Sequence, residues 1–173
     1  EDKKQRIVEK YDGRVEFYDW APVGDTGKIM GGGRYQEKPY NMNLTTCKAD
    51  GIDWCAAIDM DEYIVSTRGD ISTFLSSLNS NISNVKLHQL LFDSRFNNTD
   101  IKVTDITKHF PCSETWAIDG GIKNIYQIKG TNSVHIHRTE TVGDTYCDRN
   151  VIWFNHYKLN QPESEYTYLN NIT

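Results

Sequence analysis

Ile52-Asp53-Trp54-Cys55-Ala56-Ala57-Ile58-Asp59-Met60-Asp61-Glu62-Tyr63-Ile64 joins a short apolar run to an acidic cluster. The run has the length of a strand, follows Gly51 and is apolar on both faces. Such a strand belongs in the middle of a parallel sheet with helices on each side. Ligands in sheets of this kind collect at the carboxyl ends of the strands, which is where Asp59, Asp61 and Glu62 fall. In extended backbone, residues two apart point the same way. Asp59 and Asp61 are therefore expected to face one space, and Met60 the core. Two carboxylates on one side make a poor core and a good seat for a hard divalent cation. Mg²⁺ or Mn²⁺ held by one or two carboxylates keeps positions open for substrate phosphates. The plainer reading is a strand end followed by an acidic turn, since Asp-x-Asp alone is a common pattern.

The surroundings of this stretch favour the metal. Upstream stand Arg34-Tyr35-Gln36 and a helical segment containing Tyr40-Asn41; far downstream comes Asn155-His156-Tyr157-Lys158. This order resembles the GT-A glycosyltransferases of the family 92 and DUF23 type and their family 2 relatives, including the glycosyltransferase domains of large algal viruses. Their pattern is a Gln, a Tyr-Asn helix, a Trp, then Asp-x-Asp-Glu-Phe/Tyr-Ile, and a late Asn-His-Tyr. The resemblance runs in order over residues 15–168. It is strongest around 53–64, fair at 155–158 and weak between them.

What the resemblance implies is an α/β protein of the GT-A (nucleotide-diphospho-sugar transferase) fold, with a Rossmann-like mixed sheet flanked by helices. It implies Mn²⁺ (or Mg²⁺) on Asp59 and Asp61, a UDP-sugar donor near Arg34, Gln36, Asp59 and Asp61, and a glycan acceptor. A late histidine completes the metal shell in many such enzymes, and imidazole suits Mn²⁺. His137 is the first choice for it, His135 the second, and His156 a rival. An inverting transferase also needs a carboxylate to take the acceptor proton. Asp93, at the end of a strand, and Asp119, in a Gly-Gly loop, are the candidates, with Glu62 third. Asp93 is preferred, because its strand is expected to run beside the metal strand.

Composition is compatible with this. The 173 residues fit one domain, 25% charged and 38% hydrophobic. A chain of this size buries about two-thirds of its unfolded surface. The net charge of −5 and the lack of a basic stripe argue against a nucleic-acid partner. No apolar run approaches the roughly 20 residues of a membrane span. Cys47, Cys55, Cys112 and Cys147 are too scattered for a zinc site or a disulfide framework. Sequons at Asn43, Asn81, Asn97 and Asn171 are weak signs of secretion in an Asn-rich chain. The resemblance favours a soluble domain in a host cytoplasm over the Golgi lumen.

Along the chain, residues 1–12 read as a charged helix stopped by Gly13, and Val15 to Trp20 as an alternating strand. Opening with a helix is unusual for a nucleotide-binding α/β unit. The resemblance implies earlier strands carrying the base contacts. The single domain, residues 1–173, is thus expected to lack roughly 35–40 residues, about one βαβ unit, and to belong to a larger, multidomain protein. Ala21 to Gly33 is a Gly-rich loop without P-loop spacing, with Lys28 and Arg34 available to a diphosphate. Residues 38–50 form a helix with Pro39 in its first turn and Met42, Leu44 and Cys47 toward the core. Asp70 caps a helix over 71–78, and Lys86 to Phe92 is a strand containing a packed His88. Thr104 to Phe110 is a short helix, and the loop 112–121 offers Glu114, Trp116 and Asp119 to an acceptor. Strands follow over 123–129, 133–137 and 151–154, then a helix from Pro162 to Tyr168.

The leading expectation is a metal-dependent enzyme that moves a hexosyl or deoxyhexosyl group from a UDP-sugar to a glycan hydroxyl, with inversion. The alternative is a non-catalytic sugar- or nucleotide-binding domain with a degenerate transferase fold. A glycosidase needs two carboxylates facing each other across the scissile bond, and adjacent strand-end acids suit a diphosphate better.

Overall fold

A computed structural model of the chain describes residues 3–12, 14–17, 34–93, 115–116 and 121–158. The expected helices at 104–110 and 162–168, the whole Gly-rich loop 21–33, and Glu114 and Asp119 lie outside these residues. The chain is mixed α/β. Its helices are α1 (Lys3–Lys10), α2 (Arg34–Ala49) and α3 (Ile71–Ser76). Its strands are β1 (Trp54–Ala56), β2 (Glu62–Ser66), β3 (Ile82–Asp93), β4 (Thr115–Trp116), β5 (Ile122–Gln127), β6 (Thr131–Val134), β7 (Thr139–Thr141), β8 (Asp144–Tyr146) and β9 (Ile152–Lys158). No described helix is long and apolar enough to cross a membrane.

Among the described residues seven strands form one mixed sheet, in the order β1-β5-β3-β9-β2, with β4 and β8 also pairing with β3. The long β3 is its spine. β9 runs parallel to β3, whereas β5 is antiparallel to β3, β1 to β5 and β2 to β9. Hence β1, β3 and β9 point the same way, and β5 and β2 begin where those three end.

Strand alternation decides what covers each face. Val85 and Leu87 of β3, Ile125 of β5, and Ile152 and Phe154 of β9 lie on one face and bury themselves with Phe74 of α3; Ile64 and Ala56 pack at the margin. Tyr126 and Cys55 lie on the other face, with Leu44 and Cys47 of α2, Ile128 and Val134. Asn41 fastens α2 to β6 as a strand neighbour would. Its side-chain oxygen accepts from the Val134 amide at 3.0 Å, and its side-chain nitrogen donates to the Val134 carbonyl at 2.8 Å.

Asp70 caps α3 as the sequence indicates, its carboxylate accepting from the Thr73 amide at 2.9 Å and from the Thr73 hydroxyl at 2.6 Å. These hydrogen bonds hold the Asp70 carboxyl below the usual carboxylate range. A carboxyl lowered on folding stabilises above its unfolded value of about 3.9, and that contribution is lost as pH falls through the folded value. Asp70→Ala should therefore lower the thermal midpoint near neutral pH, and the gap from wild type should close in acid. Melting curves across that range check it.

Several local expectations are corrected. Residues 14–17 form no strand. α2 begins at Arg34, so Pro39 sits inside the helix, where it cannot donate to the Tyr35 carbonyl. Met42 is exposed rather than in the core. The apolar run 52–58 yields only the three-residue β1, which is an edge strand with the antiparallel β5 as its one described neighbour. Local apolarity was read as burial on two sides, but Ile52 and Ile58 stay exposed. β5 also separates β1 from β3, so the strand of Asp93 does not adjoin the acidic strand.

Candidate functional site

The segment Ala57 to Asp61 links β1 to β2, the two ends of the strand order. Four strand spacings of roughly 4.8 Å would separate flat edges by about 19 Å. The segment is not fully extended, because the Glu62 amide donates to the Asp59 carbonyl at 3.0 Å and turns the chain. The sheet accordingly curls, and the acidic segment straps its edges together at the carboxyl ends of β3 and β9. The turn also breaks the alternation expected of a strand. Met60, expected in the core, is 98% exposed at its crest.

Beneath the strap the apolar face gives way to polar side chains. Lys123 lies two residues before Ile125, Gln89 two after Leu87, His156 two after Phe154, and Glu62 two before Ile64. Alternation puts all four on the α3 side of the sheet, in one row just beyond the core. Lys123 is 2% exposed. Its ammonium donates to Asp59 Oδ2 at 2.9 Å and lies 3.1 Å from Glu62 Oε2. Glu62, also buried, accepts from the Asp59 amide at 2.8 Å. Burial opposes the lysine charge, but the hydrogen bond to Asp59 and the charges of Glu62 and Asp59 outweigh it, holding Lys123 above the ordinary lysine range. Tyr40 of α2 feels the same cluster. Burial and then the Asp59 charge raise its phenol, partly offset by Lys123.

Asp61 has a different partner. Its carbonyl accepts from the Tyr157 amide at 2.9 Å, which fixes it against β9, and its Oδ2 lies 3.4 Å from His156 Nε2. The expected shared space of Asp59 and Asp61 is therefore divided: Asp59 turns to Lys123, and Asp61 to His156. The other late histidines stand in the turn of the β6–β7 hairpin, since β6 stops at Val134 instead of running to residue 137. His135 lies between Glu37, at 3.1 Å, and Glu140, at 3.6 Å. His137 is exposed and within 3.1 Å of the Ile122 carbonyl. Gln36 is exposed on α2, and Arg34 opens that helix. Asp93 ends β3, at the same end of the sheet as the strap.

No protein-family model matches the chain, and no curated protein matches it.

The donors at this end can be tested against a divalent cation. Asp59, Asp61 and Glu62 against the Lys123 ammonium leave two net negative charges, the charge a divalent ion would neutralise. Two donors about 2.1 Å from an octahedral ion stand about 3 Å apart, close to the Asp61–His156 separation. Carboxylate oxygen with imidazole nitrogen suits Mn²⁺. Among the described residues no three His, Cys, Asp or Glu side chains are already gathered as a full shell. Asp59 would have to contribute the oxygen that Lys123 does not hold. Of these donors, only Asp61 and His156 stand at a spacing that one ion could bridge.

Beside the strap lies a cavity of about 410 Å³, between α2 and β1, lined by Tyr40, Met42, Thr46, Ala57, Ile58 and Tyr126 among others. Its volume is in the range of small-molecule sites. Lys123 and Gln89 were not singled out from sequence. The signal was present: each stands two residues from an apolar neighbour in a strand, so it faces the same side.

Proposed function

We propose that this chain is a glycosyltransferase domain of GT-A type that uses a divalent cation to move a hexosyl or deoxyhexosyl group from a UDP-sugar to a glycan hydroxyl. The observation that carries the reading is the acidic strap at the carboxyl ends of β3 and β9, with Asp61 facing His156 and a local charge of two negatives. A cavity of small-molecule size opens on the α2 side of the sheet, lined by Ala57 and Ile58 of the same segment.

In this reading Asp61, His156 and the free oxygen of Asp59 hold the ion. A bound Mn²⁺ or Mg²⁺ supplies positive charge against the diphosphate as it leaves. Lys123 cancels part of the carboxylate repulsion and keeps Asp59 oriented. Glu62 holds the Asp59 amide, fixing the turn that presents Asp61. Its burial and ion pair also remove it from the candidates for general base. That role goes to Asp93, with Asp119 second. Asp93→Asn should lower turnover by roughly 10²–10⁴-fold while UDP binding stays near wild type. Turnover within a few-fold of wild type would move the role elsewhere.

One observation favours the second reading, a sugar- or nucleotide-binding domain with a degenerate transferase site: Lys123 already holds Asp59. Nucleoside diphosphate release from UDP-sugars, with Mn²⁺ and after EDTA, separates the two. Cation-dependent release supports the transferase; donor binding without release supports the binding domain.

A further inference from the structure

Val85 and Leu87 of β3 lie on the α3 side of the sheet, so Lys86 and His88 lie on the other. His88 thus faces away from the polar row beneath the strap. Two strands share one edge of β3 in turn: β8 runs beside it as far as Val85, and β9 joins it at His88. The link between them, residues 147–151, therefore passes close to His88. Asp148 fixes that link. Its carbonyl accepts from the Val151 amide at 3.1 Å and the Ile152 amide at 3.0 Å, and its Oδ1 from the Asn150 amide at 2.9 Å. Cys147, where the link begins, is free and exposed, and its Sγ lies 3.2 Å from His88 Nε2.

We propose that Cys147 is a redox modification site, a thiol that His88 activates for exchange with small disulfides such as oxidised glutathione. A base within hydrogen-bond reach of a thiol is the arrangement that makes it a ready nucleophile. The imidazole must be neutral to take the proton. Burial, and then the charges of Lys86 and Arg149, hold His88 below the ordinary histidine range, which keeps it neutral at pH 7. Its neighbours across the sheet are Ile122 of β5 and Trp153 of β9, neither of which titrates. In the exchange the Cys147 proton passes to His88 Nε2 as Sγ attacks one sulfur of the disulfide. The new S–S bond joins Cys147 to glutathione and the S–S bond of the reagent breaks. The departing thiolate keeps that electron pair and recovers the proton from His88. One thiol and one disulfide become a mixed disulfide and a thiol, and no other oxidant is needed. Cys47 and Cys55 are half-buried, and burial, then the adjacent Cys55, pushes the Cys47 thiol up. Of these three cysteines Cys147 therefore reacts first, whatever the acidic strap binds.

The experiment treats the intact chain with oxidised glutathione at pH 7 and assigns each modified cysteine by peptide mass mapping. An ordinary thiol is only about 3% ionised at that pH, so a neighbouring base can speed its reactions by up to about 30-fold. Native Cys147 should exchange roughly 10-fold faster than the same cysteine in the urea-unfolded chain, and ahead of Cys47 and Cys55. His88→Asn should slow Cys147 by roughly the same factor at pH 7, and the gap should close above about pH 9, where a thiol ionises unaided. Native Cys147 reacting no faster than in urea overturns the proposal, and that comparison needs no variant to fold. An unchanged rate in His88→Asn also overturns it. So does a rate lowered equally at pH 7 and above pH 9, which would leave His88 as a residue that only packs beside the thiol.

Discussion

Lys123→Met should cost the fold roughly 3–5 kcal/mol, the range for removing one partner of a buried ion pair. The reason lies in what remains. Glu62 is 5% exposed and would keep its carboxylate beneath the strap without the ammonium 3.1 Å away. Asp59 is better placed, because it is only half-buried and can turn to water. The loss therefore comes mainly from Glu62. Adding Glu62→Met to Lys123→Met should restore much of the stability, since well-packed apolar replacements for a buried pair are often neutral. Denaturant unfolding of the single and double variants measures this. A single variant within about 1 kcal/mol of wild type would place its charge at the level of a surface pair, and the strap would need another anchor.

Asp61→Ala should abolish Mn²⁺-dependent donor binding, whereas Asp59→Ala should weaken it less. Asp61 is tied to β9 through its carbonyl, and its carboxylate is the one that faces His156. Asp59 has one oxygen engaged by Lys123 and has only the other to offer. Calorimetry of UDP with Mn²⁺ on the two variants distinguishes them, with circular dichroism to check that each is folded. Unchanged affinity in Asp61→Ala would remove the centre of the site.

Elements with a complete local signal were legible in the sequence. α3 has the Asp70 cap and apolar residues at helical spacing, and β9 contains Ile152 to Phe154 of the expected strand 151–154. The place of the acids, at the carboxyl end of a strand, was legible too. What was lost depends on pairing. Nothing within residues 52–58 tells a central strand from an edge strand, because the neighbour of β1 is β5, about 70 residues away in the chain. Met60 was misplaced because alternation was carried through a turn, and that turn is fixed by the Glu62 amide reaching back to Asp59. Lys123 and Gln89 share a side with apolar neighbours in their own strands, but a single strand does not show that this side ends in a polar row. They become part of the site only when β5, β3, β9 and β2 are laid side by side and the apolar row is seen to end.

The most direct test of the site as a cation-dependent nucleotide-sugar site is calorimetric titration of UDP into the intact chain, with Mn²⁺ and again with EDTA. UDP is common to every UDP-sugar, so the identity of the sugar does not enter. The expected result is saturable binding with Mn²⁺ that disappears in EDTA. No binding with Mn²⁺, or binding that EDTA leaves unchanged, would contradict the proposed function.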